Sequence, residues 1–183
     1  MFGPNTESVT FERDCQAVII PTGDSITITE GTVGALTQAL GGSFTVYVAG
    51  NLYRIAGNDA DAIGYEPVEP PKLPPNATAE DVEKLIWDQM KTVYDPEIPV
   101  DIVALGLIYD CRIDITAEGT RNVAIKMTLT APGCGMGDIL VDDVAAKVRL
   151  VPTVEKVDVD LVFDPPWGFE MMSYEAKLES GML

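Results

Sequence analysis

The chain has 183 residues, 46% of them hydrophobic, and its 29 acidic and 12 basic residues give a formal net charge of −17 at pH 7. The hydrophobic content argues for a folded globular protein and against a disordered chain. The negative charge argues against nucleic acid and anionic membranes as partners, because both bind clustered Lys and Arg.

The sequence also indicates a compartment. No apolar run approaches the roughly 20 residues of a membrane-spanning helix, and the first residues lack the basic start and apolar stretch of a signal peptide. Three cysteines without close spacing fit a reducing environment better than a disulfide framework. We therefore expect a cytoplasmic protein.

Residues 1–65 are predicted to form a β-rich N-terminal extension. Gly41-Gly42 and Ala49-Gly50-Asn51 are turn sequences that divide this part into a meander. Alternation in the strand between these turns places three apolar residues on one face, namely Phe44, Val46 and Val48. Residues 66–76, EPVEPPKLPPN, contain five prolines and are predicted to be a stiff linker.

Residues 77–183 are predicted to form an α+β domain with the element order α-β-β-α-β. The apolar spacing from Thr78 onward indicates an amphipathic helix that Pro96 ends, with Thr78 and Asp81 as a capping box. Alternating segments predict three strands, and the last of these places Val157, Val159, Leu161 and Phe163 inward. The expected architecture is one sheet with two helices on one face.

Several kinds of chemistry are excluded by absent residues. The chain contains no histidine, so it has no Ser-His or Cys-His pair and no histidine-ligated zinc. No C-x-x-C motif and no P-loop sequence occur. Cys15, Cys111 and Cys134 lie far apart in the sequence, so only the fold could bring any two of them together.

The stretch LTAPGCGMGD, from Leu129 to Asp138, contains the candidate functional residue. Cys134 follows a predicted strand and precedes the second predicted helix, whose free N–H groups and partial positive charge favour a thiolate. Gly133 and Gly135 leave little bulk around the sulfur. Two interpretations stay open: a functional thiol, or a small residue that fills a tight turn. Cys15 and Cys111 are interpreted as packing residues.

Two other segments are unusual. DPEIPVDIVALGLIYD combines prolines with Asp95, Glu97 and Asp101, which indicates a rigid acidic loop or simply the solvated end of a helix. FDPPWGFEMM sets Trp167 after two prolines, and packing of this ring against the core is the favoured interpretation.

These three segments together resemble the SufT branch of a widespread iron–sulfur protein maturation family. Relatives of that family include the phenylacetate-degradation protein PaaD and a cytosolic iron–sulfur targeting factor. The resemblance covers residues 78–183, and the β-rich leader is similar to the N-terminal extension of SufT proteins. It implies that Cys134, in T-A-P-G-C, is the functional thiol. The implied supporting positions are Asp95, Glu97, Thr130, Gly133, Gly135 and Met136. Ala104 and Gly135 depart from residues common in the family, an acid and a proline.

The resemblance further implies an accessory factor that assembles iron–sulfur clusters or delivers them to client proteins, and not an enzyme. A cluster needs about four thiolates, and one candidate thiolate per chain does not supply them. We therefore expect a transient cluster or none in the isolated protein, with Cys134 as a ligand shared between chains, in a homodimer or with iron–sulfur assembly proteins and apo clients. The alternative is a non-enzymatic adaptor in which the thiol is incidental.

Overall fold

The computed structural model of the chain describes residues 6–96, 98–133 and 135–182. The chain divides into two compact units, Met1–Pro70 and Pro71–Leu183, and the division falls within the proline-rich stretch. Each unit has a hydrophobic core of its own.

The first unit is one antiparallel sheet followed by a 3-10 helix at Gly57–Ile63. Its six strands are β1 (Glu7–Thr10), β2 (Cys15–Ile20), β3 (Ser25–Ile28), β4 (Val33–Leu40), β5 (Ser43–Val48) and β6 (Asn51–Ala56). They lie in the order β1-β4-β5-β6-β2-β3.

Both predicted turns of the meander are confirmed. Gly41 and Gly42 connect β4 to β5 with φ angles of 61° and 71°, and Ala49 and Gly50 connect β5 to β6 with 48° and 95°. Two consecutive residues with positive φ match the right-handed twist of the flanking strands. The predicted apolar face of β5 is confirmed as well, since Phe44 and Val46 are buried in this unit's core.

The second unit contains three strands and three helices. These are α1 (Ala79–Met90), β7 (Ile108–Ile115), β8 (Arg121–Met127), α2 (Gly137–Arg149), β9 (Val154–Leu161) and α3 (Tyr174–Glu179). The sheet order is β7-β8-β9, with β8 antiparallel to β7 and parallel to β9. The α+β class is confirmed.

Helices α1 and α2 pack on the same face of this sheet, as predicted. The core consists of side chains that are almost completely buried on all three elements, including Val82, Ile86 and Met90 of α1, Val144 and Val148 of α2, and Val123, Ile125 and Met127 of β8. Full burial of one such side chain contributes roughly 1.5–3 kcal/mol. The packing of these side chains therefore holds the sheet and the two helices together.

The start of α1 agrees with the sequence and its end does not. Thr78 Oγ1 accepts from the Asp81 N–H at 3.2 Å, and Asp81 Oδ2 accepts from the Thr78 N–H at 2.7 Å, which confirms the capping box. The prediction that Pro96 ends the helix is wrong, because α1 ends at Met90. Thr92 Oγ1 donates to the Gln89 carbonyl at 2.7 Å, so this side chain satisfies a carbonyl at the helix end.

Two other features differ from the sequence-based expectation. Phe163 was expected inward but is 45% exposed, because β9 ends at Leu161 and the alternation no longer applies beyond it. Helix α3 was not predicted. None of the helices in the described part of the chain is long and apolar enough to cross a membrane.

Candidate functional site

The three unusual segments of the sequence lie at one end of the three-stranded sheet. β8 and β9 run parallel and both end there, while the antiparallel β7 begins there. The chain at this end forms the acidic loop (residues 92–107), the thiol loop (residues 128–136) and the tryptophan segment (residues 162–173). Strand direction alone therefore brings together three motifs that are far apart in the sequence.

The acidic loop is ordered by its own carboxylates. Asp95 is only 4% exposed, and its Oδ1 accepts from the Ile98 N–H at 2.9 Å. Asp101 Oδ1 accepts from the N–H groups of Val103 and Ala104 at 3.0 and 2.9 Å. These bonds close two tight turns, so this is not a solvated helix end. Glu97 lies outside the described residues.

The acidic loop is also anchored by apolar side chains. Val100, Ile102, Leu105 and Leu107 are at most 2% exposed and belong to the core of the second unit. A loop with this many buried side chains has little freedom to move, because each would leave the core if the loop opened.

The thiol loop begins buried and becomes exposed. Thr128 and Leu129 are 1% and 4% exposed, and the Thr128 N–H donates to the Leu107 carbonyl at 2.9 Å, which ties this loop to the acidic loop. Thr130 is partly exposed, and Gly133 and Gly135 are exposed. Cys134, the expected functional thiol, lies outside the described residues.

The glycines of the thiol loop serve different purposes. Gly133 has a φ of +78° and a Cβ there would meet nothing within 4 Å, so the backbone conformation and not space favours glycine. A Cβ at Gly137 would lie 2.9 Å from Leu129 Cδ1. Gly137 is the first residue of α2, and its lack of a side chain allows the helix to begin directly against the end of β8.

Helix α2 begins at Gly137, three residues after position 134 in the sequence. Its N-cap residue is Met136, which is partly exposed and makes no side-chain capping hydrogen bond. A methionine side chain is a poor acceptor for the free N–H groups of a first helical turn. Asp138 lies in that first turn and its side chain is exposed.

The tryptophan segment is fastened to the acidic loop. Trp167 Nε1 donates to the Leu105 carbonyl at 2.7 Å, and the Ser173 N–H donates to the Ala104 carbonyl at 2.8 Å. Gly106 has a φ of +75°, and a Cβ there would collide with the Met171 carbonyl oxygen. The preference for Trp167 as a packing residue is confirmed, since its ring packs against the core.

The two described cysteines have surroundings that suppress ionisation. Cys111 on β7 is partly buried, and this burial, together with Glu83 and Asp110, raises the pKa of its thiol to about 11. Cys15 is 1% exposed in the first unit, and burial followed by the charge of Asp59 raises the pKa of its thiol. Both residues fit the packing role expected from the sequence.

Sequence reasoning missed Thr128. Its hydroxyl oxygen is buried and has no hydrogen-bond partner among the described residues. Alternation sets Thr128 on the face opposite Met127 and Leu129, so no pattern in the sequence signals its burial. In the part of the chain that the structure describes, no three thiol or carboxylate groups are grouped closely enough to hold a metal ion.

Comparison with known proteins gives concordant results. The profile of a family described as "Iron-sulfur cluster assembly protein" matches residues 83–160, a range that contains the thiol loop. A Porphyromonas gingivalis protein called "Fe-S protein maturation auxiliary factor" is 47% identical over 106 residues, which are 58% of this chain and 93% of that protein.

A Staphylococcus aureus protein called "Fe-S protein maturation auxiliary factor SufT" is 40% identical over 90 residues, which are 49% of this chain and 98% of that protein. A crystal structure of a domain of unknown function, DUF59, from Bacillus anthracis superposes with a TM-score of 0.51 at 39% identity. The superposition covers 57% of this chain and 95% of the Bacillus anthracis chain. These relatives are thus matched over nearly their whole length.

Proposed function

The chain belongs to the SufT-type family of iron–sulfur protein maturation auxiliary factors, and from this premise we propose that it assists the assembly of iron–sulfur clusters or their delivery to client proteins through Cys134. Its partners are the iron–sulfur assembly machinery and apo client proteins. It acts in the cytoplasm, where thiols stay reduced, and it is not itself an enzyme.

The observation that carries this proposal is the convergence of the three loops. The thiol loop is tied to the acidic loop through Thr128 and Leu107, and the acidic loop is tied to the tryptophan segment through Leu105 and Trp167. A residue that receives a cluster from one protein and gives it to another must be presented on a fixed base. The exposed Gly133 and Gly135 leave room for a partner beside that residue.

The side chains of the three loops are not of the kind that binds an anionic substrate. None of the three loops contains a lysine or arginine, whereas Asp95, Asp101, Asp164 and Glu170 contribute carboxylates. The free N–H groups at the start of α2 favour a thiolate nearby. A thiolate is a soft ligand of the kind that holds iron–sulfur clusters, whereas loops without Lys or Arg have no cationic side chain to bind an anionic substrate.

The transfer step is a ligand exchange without a change of oxidation state. The Cys134 thiol loses its proton and its sulfur forms a bond to one iron of the cluster, the bond from that iron to a donor thiolate breaks, and the released proton goes to the departing thiolate. Since a cluster takes about four thiolates, the remaining ligands come from the partner or from a second copy of the chain. One candidate ligand thiol per chain suits passage of a cluster better than its storage.

Complementation tests the proposal. In cells that lack the protein, cluster occupancy of purified client enzymes is measured after return of the unaltered chain, Cys134→Ser or Cys111→Ser. Occupancy should be restored by the unaltered chain and by Cys111→Ser, whose thiol is partly buried, and not by Cys134→Ser. Full restoration by Cys134→Ser would show that the thiol is not required and would support the adaptor interpretation. Unchanged occupancy without the protein would refute the proposed function.

Anaerobic reconstitution tests the ligand count. The isolated chain should hold well under one cluster, should form more dimer when a cluster is present, and should pass the cluster to an apo acceptor. Cys134→Ser should hold almost none. A monomer of that variant with a full, chelator-resistant cluster would contradict both the site and its role in transfer.

A further inference from the structure

Exposed apolar side chains are concentrated near the end of the chain. Among the described residues, eleven large hydrophobic side chains are exposed, and five of them fall within residues 163–182. These five are Phe163, Phe169, Tyr174, Leu178 and Met182. Scattered exposed hydrophobic residues are ordinary, whereas such a concentration indicates an interaction surface.

Helix α3 has an outer face that is apolar. Ala176 is 1% exposed and belongs to the core, whereas Tyr174 and Leu178 are 64% and 52% exposed. Two residues along a helix correspond to a rotation of about 200°, so both side chains lie opposite Ala176 and, being four residues apart, beside each other. Burial of one face thus leaves an apolar pair on the other.

This exposure does not come from a fraying helix end. Ser173 Oγ accepts from the Ala176 N–H at 3.1 Å at the start of α3. At its end, the Met182 N–H donates to the Lys177 carbonyl at 2.9 Å and the Gly181 N–H donates to the Leu178 carbonyl at 3.2 Å, with Gly181 at a φ of +69°. These bonds form a Schellman motif, so both ends of the helix are capped.

Phe169 is presented in a similar way. It is 55% exposed, and its ring meets that of Trp167 edge-on with the centroids 5.2 Å apart. Trp167 is in turn bonded to the acidic loop through Leu105. We call the Tyr174–Leu178 pair, together with the exposed Phe169 and Met182 that flank it in the sequence, the C-terminal surface. It is joined to the candidate site through the tryptophan segment.

The charges beside the C-terminal surface limit what can bind to it. Glu170, Glu175 and Glu179 are exposed, and Lys177 is the basic residue of the helix. A second copy of the chain bound at this surface would place its own carboxylates opposite these three. Like charges that face each other across an interface are unfavourable. A partner with lysine or arginine around an apolar centre would instead form ion pairs with these three glutamates.

We propose that the C-terminal surface is a docking surface for an iron–sulfur assembly or client protein that presents an apolar patch bordered by Lys and Arg. The class of the partner rests on the proposed function, whereas the surface and the chemistry of its occupant rest on the burial and charge of residues 163–182. Tyr174 is the expected centre, because large amphipathic aromatic residues dominate binding energy at interfaces.

The experiment begins with a photo-crosslinking residue, p-benzoylphenylalanine, in place of Tyr174 in the full chain in the cells that produce it. The crosslinked protein is identified and purified, and its dissociation constant is measured against variants. Tyr174→Ser/Leu178→Ser should weaken binding about 10-fold or more. The matched control is Ile115→Ser/Leu150→Ser, whose residues are 61% and 50% exposed and should leave the constant unchanged.

Charge is tested separately. Glu175→Lys/Glu179→Lys should weaken binding with the apolar residues intact, and added salt should weaken binding of the unaltered chain more than that of this variant.

Crosslinks only to another copy of the chain, only to its own first unit, or to nothing would overturn the proposal, as would equal loss in the control variant. A partner that binds as proposed but has no connection to iron–sulfur proteins would refute the proposed function and keep the surface. Cys134→Ser should bind the partner normally.

Discussion

At the scale of single residues, the surroundings of a thiol decide its reactivity more than its presence in the sequence does. Burial raises the pKa of Cys111 to about 11, so this thiol is almost fully protonated at neutral pH. Cys15 is shielded by the core of the first unit. Thiolates, not thiols, react with electrophiles and bind iron.

The thiols should therefore label in a fixed order. At pH 7.5 iodoacetamide should modify Cys134 before Cys111 and Cys15, as followed by mass mapping of peptides. The labelling rate of Cys111 should go on rising with pH up to about 11, because its raised pKa delays the formation of thiolate. Labelling of Cys134 at or below the rate of Cys111 would remove the electrostatic argument for a reactive thiol.

The buried hydroxyl of Thr128 should reduce stability. Its oxygen has no hydrogen-bond partner among the described residues, and an unpaired buried polar group costs about 1–3 kcal/mol. Thr128→Val keeps the shape and removes the oxygen, so it should raise the free energy of unfolding by about 1 kcal/mol, as measured by urea titration. Thr120→Val is the control and should lower it, because Thr120 donates to Glu155. Destabilisation by Thr128→Val would mean that the hydroxyl is bonded after all.

At the scale of elements, Gly106 allows the acidic loop to approach the tryptophan segment closely, because it has no side chain. Gly106→Ala should lower the free energy of unfolding by about 2–5 kcal/mol, the sum of about 1–2 for a left-handed backbone and about 1–3 for overpacking against Met171. Gly119→Ala isolates the backbone part, since Gly119 has a φ of +83° and free space around it. Equal effects of the two variants in thermal unfolding would show that the loops are not pressed together there.

The elements with a strong period could be predicted from sequence, and the contacts between loops could not. The capping box of α1, the turns around β5 and the apolar face of β5 follow from local chemistry and alternation. Helix α3 has only six residues and one buried side chain, too few for a period to show. Phe163 was placed wrongly because alternation says nothing about where a strand ends.

The candidate site shows the same division. The sequence indicated a thiol between glycines before the second helix. It also indicated that the segments containing Asp95 and Trp167 are unusual. That their loops meet follows from the parallel pairing of β8 with β9, which the predicted element order left undefined. The bonds that join the loops run mostly to backbone carbonyls, such as Leu105 and Leu107, which leave no trace in the pattern of side chains.

At the scale of the whole molecule, the proline-rich stretch connects the two units, and most of its residues are exposed. It is attached to both units, because the Val68 N–H donates to the Gly57 carbonyl of the first and Leu73 packs on the core of the second. Limited digestion with a broad-specificity protease should cut first within residues 66–76 and leave a folded fragment of about residues 77–183. A first cut inside β8, or a fragment without helical circular dichroism, would place the boundary elsewhere.

The central position of β8 sets the order in which parts of the second unit open. Both edges of β8 are paired, and its inward side chains are at most 1% exposed, so its amides can exchange with deuterium only when the whole unit unfolds. Helix α3 contributes one buried alanine and should exchange through local opening, orders of magnitude faster. The sheet that carries the thiol loop would then stay closed while the C-terminal helix opens and re-forms many times, so the two belong to different cooperative units of one fold.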